Sequence, residues 1–145
     1  MAYTTASDGA RLHWETHGSG DPVLLIMGLG SNAYGWHRTI PWLAERYETI
    51  AFDNRGTGRS DAPAGEYTIA QMAADAAAVL DAAGHTRAHV VGASLGGMIA
   101  QTLAIEHPQR VRSLTSIMSS TGRAGPNRPR DITAMRSHTP SSSGR

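Results

Sequence analysis

The sequence predicts an α/β fold, a mostly parallel sheet with helices on both faces, and three observations carry that prediction. Segments of strand character and of helix character alternate from Val23 to Met118. Residues 23–27 form an unbroken apolar run and residues 88–93 a short Val-rich one, the kind of strand a parallel sheet buries on both faces. Gly92-Ala93-Ser94-Leu95-Gly96 then joins the second of these runs directly to a segment with apolar residues at helical spacing.

Taken in order, residues 3–6 and 11–16 flank the turn triplet Ser7-Asp8-Gly9 and read as an antiparallel hairpin. After a break at residues 18–22, the apolar strand 23–27 ends in Gly28-Leu29-Gly30-Ser31-Asn32, a candidate ligand loop. Trp36, Ile40, Leu43 and Tyr47 recur at helical spacing, so the spacing predicts a helix over 36–47 with Pro41 in its first turns. Residues 49–52 return as a strand, and Asp53-Asn54-Arg55-Gly56-Thr57-Gly58-Arg59-Ser60 follows as a polar, Gly-rich loop. Such loops at the carboxyl ends of parallel strands are where α/β proteins bind ligands.

The clearest helix begins at Thr68. Thr68-Ile69-Ala70-Gln71 fits a capping box, Ile69, Met72, Ala73, Ala76, Val79, Leu80 and Ala83 form one apolar stripe, and Gly84 ends it. Asp75 and Asp81 fall on the polar side. The strand at 88–93 and the helix from Leu95 to Pro108 come next, followed by a mostly apolar strand at 111–118. From Ser120 onward the periodicity disappears. The expected organisation is a partial α/β domain over 1–121 and a disordered Arg/Pro/Ser-rich tail over 122–145.

Composition narrows the function classes. The chain of 145 residues has 40% hydrophobic and 17% charged residues, and no apolar run long enough to span a membrane, so no membrane association is expected. The N-terminal stretch has no basic segment followed by an apolar one, so a secretion signal is not expected. With no cysteine there is no disulfide, thiolate chemistry or Cys-based zinc site, which is compatible with a cytoplasmic location. Residues 1–119 hold eight arginines and eleven acids, whereas residues 120–145 hold five arginines and one acid. A basic tail without interleaved aromatics reads as a solvated end, so no nucleic-acid partner is expected. His13 and His17 have no metal-ligand companions and read as surface residues. Dinucleotide and P-loop fingerprints fail, because position 33 is alanine and the chain has no lysine.

The chemistry points to Ser94. In a G-x-S-x-G elbow between a strand and a helix, the glycines let the two backbones close on either side of a strained serine, whose hydroxyl then stands clear of the sheet. The helix start sets its positive dipole end and free N–H groups, Leu95 N–H first, beside the place where an oxyanion would form.

Three motifs, Met27-Gly28-Leu29-Gly30, Asp53 to Ser60 and Gly92-Ala93-Ser94-Leu95-Gly96-Gly97, match in order and spacing those of the α/β-hydrolase superfamily. Over about residues 8–121 the chain resembles that superfamily, nearest its aclacinomycin methylesterase-like esterases. The resemblance implies a serine hydrolase of the carboxylic-ester type, with Ser94 as nucleophile, the N–H groups of Leu29 and Leu95 as oxyanion donors, a small-molecule ester as substrate, and neither metal nor organic cofactor. Epoxide and haloalkane substrates fit less well, since those relatives use Asp where this chain has Ser94. Met27-Gly28 replaces the family's usual His-Gly, but a backbone N–H is a donor whatever the side chain. In this fold the acid and then the histidine follow the serine. Here only Glu106, Asp131, His107 and His138 follow it: the first and third end the elbow helix and the other two lie in the tail. The resemblance therefore implies a truncated fold without lid, last strands and final helices, lacking the triad acid and histidine. His37, just after the glycine loop, is the best-placed histidine to stand in as base, although a histidine in the first turn of a helix is usually solvated, whereas His89 starts the elbow strand at the opposite end. The alternative is a catalytically inactive fragment or a binding module. An open sheet edge at 111–118 is expected to favour self-association.

Overall fold

In the computed structural model, residues 2–121 and 134–136 are described. The hairpin forms as the turn triplet predicts, β1 (Ala2–Thr5) pairing antiparallel with β2 (Arg11–His17). Two parallel strands, β3 (Asp21–Ile26) and β4 (Tyr47–Phe52), follow, and β4 lies antiparallel to β2. The elbow strand β6 (Ala88–Ala93) and β7 (Val111–Ile117) add to the other side of β3, both parallel. The six-stranded order is β1-β2-β4-β3-β6-β7, with β7 at one edge. The sheet is mostly parallel, as predicted, with an antiparallel hairpin closing one side.

Helices cover both faces. Alternate residues of β3 separate two cores: Leu24 and Ile26 join Leu12, Ile50, Phe52 and Val90 under α2 (Ile69–Ala82) and α3 (Leu95–Glu106). Val23 and Leu25, with Ala51, pack on the other face beneath Ala33, Trp36 and Ile40. This two-sided burial is why residues 23–27 read as a continuous apolar run rather than an alternating one.

The single helix predicted over 36–47 forms as two short pieces, a 3₁₀ turn (Ala33–Trp36) and α1 (Thr39–Leu43). Asn32 caps the first, its side chain accepting the Tyr34 N–H. Pro41 has no N–H to return to the carbonyl of His37, so it can sit only in the first turn of a helix that starts nearby. α2 starts as predicted: Thr68 accepts the Gln71 N–H at 3.0 Å. The other half of the capping box is diverted, because the Gln71 side chain reaches Asp8 at 3.1 Å.

The short strand β5 (Glu66–Thr68) lies where the sequence shows only loop, and it pairs with β8 (Ala134–Arg136), inside the stretch read as tail. The remainder of 122–145 lies outside the described residues. Among the described residues no helix is long and apolar enough to cross a membrane.

Candidate active site

At the carboxyl end of β6 the chain turns into α3 on one residue. Ser94 has φ 54° and ψ −119°, a left-handed conformation that a non-glycine residue adopts only under constraint, and its side chain is exposed. The constraint is visible. The Ser94 N–H donates to Ile117 O of β7 at 2.8 Å, and its carbonyl accepts the Gly97 N–H at 2.9 Å. A β-carbon on Gly92 would lie 2.1 Å from Gly96 O, and one on Gly96 would lie 2.1 Å from Ile26 O, so only glycine lets strand and helix approach this closely.

The loop after β3 packs on the elbow. Gly28 faces Ser94, and the loop turns tightly at Gly30, φ 70°. Leu29 is 71% exposed, while Leu95 is buried. Neither the Leu29 nor the Leu95 N–H donates to a protein acceptor among the described residues. Two N–H groups without a protein acceptor among the described residues, one of them at the N-terminus of a helix, thus lie on the loop and the helix that adjoin an exposed serine.

The polar loop after β4 braces this region. Asn54, buried, donates from Nδ2 to Met27 O at 2.9 Å. Asp53, also buried, accepts the Ala33 N–H at 2.8 Å and the Arg59 N–H at 2.9 Å. Arg55 points the other way. Its guanidinium grips Asp75 of α2 at 2.6 and 2.7 Å and Asp8 of the hairpin turn at 2.7 Å, and lies over the Tyr67 ring. Burial works against the Arg55 charge, yet the hydrogen bonds it donates to Asp75 and Asp8 raise its pKa above the usual range. Burial raises the pKa of Asp75 against the pull of Arg55, whereas the hydrogen bond from Arg55 lowers that of Asp8.

The profile of the alpha/beta hydrolase fold family matches residues 21–138. The chain belongs to the α/β-hydrolase superfamily. RutD of Azorhizobium caulinodans, which carries the name of a carbamate hydrolase, is 47% identical over 117 residues, 81% of this chain and 44% of that protein. A pimeloyl-[acyl-carrier protein] methyl ester esterase of Aeromonas hydrophila is 38% identical over 107 residues, 73% of this chain and 41% of the relative. Among solved structures, Est816, described as an N-acyl homoserine lactone degrading enzyme, superimposes with a TM-score of 0.78 at 39% identity. It covers 83% of this chain and 46% of that one. The chain thus spans under half the length of the curated relatives it matches.

Within this hydrolase fold, the residues singled out from the sequence are only partly brought together. Ser94 and Leu95 lie at the elbow, and Gly28, the chain neighbour of Leu29, faces Ser94. Ser94 Oγ makes no side-chain hydrogen bond among the described residues. His37 does not serve it: the ring stacks on Tyr34 at 4.7 Å, and Nδ1 bonds Tyr34 O at 3.0 Å. His89, at the far end of β6, bonds Ser113 Oγ at 2.7 Å. Glu106 and His107 close α3, whose twelve residues at roughly 1.5 Å each put them about 18 Å from the elbow. Asp131 and His138 lie outside the described residues.

Two readings of single residues need correction. His13 is not on the surface but buried at 2% exposure, its Nδ1 standing 3.5 Å from Asp53 and its Nε2 3.1 Å from Arg59. Asp75 is not on a polar face but buried against Arg55. Both sit one step from an apolar stripe, where periodicity alone does not tell a flank that faces water from one covered by a loop. Two clefts of about 410 and 320 Å³ open beside the 3₁₀ turn, sharing Glu15, Ala33 and Tyr34. Neither is lined by Ser94, so they are not extensions of the serine's site.

Proposed function

We propose that the chain is a serine hydrolase of the carboxylic-ester type, in which Ser94 Oγ attacks a substrate carbonyl and the N–H groups of Leu29 and Leu95 hold the resulting oxyanion. The observation that carries this reading is an exposed serine at φ 54° with the glycine loop packed against it, the N–H groups of Leu29 and Leu95 having no protein acceptor among the described residues. Donors fixed before the reaction stabilise charge that appears only in the transition state, which is what accelerates acyl transfer. The names of the relatives agree on the bond class, since carbamates, methyl esters and lactones all place a leaving group on a carbonyl carbon. Collapse of the oxyanion breaks the bond to the leaving group, which departs with the proton given up by the serine, and water then cleaves the acyl-serine to the acid and the free hydroxyl.

Ser94 must lose a proton as it attacks, and no imidazole bonds its hydroxyl among the described residues. This favours weak turnover by the chain on its own, of the order of the 10³- to 10⁴-fold over water that an oxyanion hole and binding supply without a triad. It also favours the second reading, a catalytically inactive fragment or binding module.

Hydrolysis of p-nitrophenyl acetate and butyrate, beside Ser94→Ala and with fluorophosphonate labelling read by intact mass, separates the two. Labelling and turnover that vanish in Ser94→Ala support the hydrolase reading. Neither labelling nor turnover supports the inactive one.

A further inference from the structure

We propose that Asp53 and Asn54 are positioning residues, a two-ended clamp that holds the loop bearing Leu29 against Ser94. The two residues are adjacent at the end of β4, yet they take hold of opposite ends of that loop. Asn54 Nδ2 donates to Met27 O, just before Gly28-Leu29, and Asp53 Oδ1 accepts from the Ala33 N–H, just after Asn32. Both side chains are almost fully buried, at 3% and 4% exposure, so water cannot readily replace either bond. Between these anchors the loop has one internal backbone bond, Ser31 N–H to Gly28 O, long at 3.4 Å. Its tip at Leu29 is exposed. The position of the Leu29 N–H is therefore set from the ends.

The orientation of the Asn54 amide is fixed by the same contact. Its Oδ1 is buried without a partner among the described residues, and turning the amide over would put that oxygen against the Met27 carbonyl. The second Asp53 oxygen is occupied by the Arg59 N–H, with His13 Nδ1 at 3.5 Å, so the carboxylate cannot rotate away from Ala33 without losing these partners. A β-carbon on Gly58 would lie 3.1 Å from Asn32 Cβ and overlap the Asp53 carboxylate, so only glycine leaves room there for the clamp. A hydrogen-bond donor misplaced by as little as an ångström loses most of its value to a transition state, so the clamp acts on rate rather than on binding.

This inference rests on the reading of Leu29 as an oxyanion donor, and the experiment keeps the two apart. Amide hydrogen exchange and nitrogen shifts are followed by NMR alongside the kinetics of fluorophosphonate inactivation. In Asp53→Ala the Ala33 amide exchanges at least about tenfold faster, and in Asn54→Leu the Gly28 nitrogen shifts and Ser31 exchange rises by a similar factor, while amides of α2 keep their rates. The limiting inactivation rate falls at least about tenfold in both variants with half-saturating probe concentration unchanged. Asn54→His, which can place a donor nitrogen at the same point on the side chain, recovers part of that rate. Val79→Ala, a core variant far from the loop, lowers the melting temperature without lowering the inactivation rate.

Loop amides that exchange as in the unaltered protein, or that change no more than those of α2, would overturn the clamp. So would an inactivation rate that follows melting temperature across all the variants. If Ser94 of the unaltered chain never reacts, the nucleophile reading falls, and the amide measurements alone still decide whether the clamp exists.

Discussion

Gly28 stands so close to Ser94 that a β-carbon on it would lie 3.1 Å from the serine's Cβ and 3.6 Å from its Oγ, with Ala93 O at 3.0 Å. The loop thus meets the side chain of the nucleophile candidate with glycine backbone alone. Gly28→Ala must push the loop off the elbow by a few tenths of an ångström. The expected result is at least about a tenfold drop in Ser94 labelling by a fluorophosphonate, with a smaller effect on melting temperature than a core substitution, because the loop's tip at Leu29 and Gly30 is exposed although Gly28 is buried. Unchanged labelling would show that the loop position does not matter to Ser94.

Gly96 behaves differently. Its added β-carbon would meet the backbone oxygen of Ile26 at 2.1 Å, inside the packing of α3 on the sheet. Gly96→Ala is expected to cost about 3 kcal/mol of stability, measured by urea unfolding. A variant of wild-type stability would mean that helix and strand can separate without penalty at the elbow.

Arg55 ties three elements together through Asp8 and Asp75. Arg55→Leu leaves the Asp75 carboxylate buried and unpaired, at an expected cost of about 3–5 kcal/mol. The double variant Arg55→Leu with Asp75→Leu removes both charges and is expected to recover a large part of that loss. A double-mutant cycle on chemical denaturation checks this, and additive losses would contradict the pairing.

Acid should weaken the same junction through Asp8. Its pKa is lowered in the folded chain by the hydrogen bond from Arg55, so the folded state holds fewer protons there than the unfolded state. The contribution is present above the usual carboxylate range and is lost as pH falls through the lowered folded value. Asp75, whose pKa is raised by burial, has the opposite sign, its ionised form being disfavoured by folding. The difference in melting temperature between the unaltered chain and Asp8→Asn is therefore expected to be large at pH 7 and to close in strong acid. A constant difference would remove Asp8 from the account.

Among the described residues β7 presents an open edge, and Leu114, Ile117 and Met118 are exposed along it or just beyond. Unpaired strand edges with apolar neighbours template pairing between chains. We expect concentration-dependent self-association in sedimentation velocity, reduced by Ile117→Lys, which sets a charge beside the edge. A single monomeric species at every concentration would rule this out.

What the sequence by itself determined is local or periodic. The Ser7-Asp8-Gly9 turn, the two-faced apolar run at β3, the Thr68 cap and the glycines around Ser94 each act within a few residues, so composition and spacing suffice to read them. The tertiary structure decided which distant groups meet. Arg55 reaches Asp8 and Asp75 across 47 and 20 positions, Asn54 reaches Met27 across 27, and His13 disappears beneath the polar loop. None of these pairings leaves a periodic trace, because a buried charge or amide is stable only where its partner arrives from another element. The break of the expected helix into a 3₁₀ turn and α1 follows from the Asn32 cap and Pro41, whereas β5 depends on its pairing with β8. The strand, elbow and helix around Ser94 could be read from the sequence, but which residues surround it could be found only from the fold.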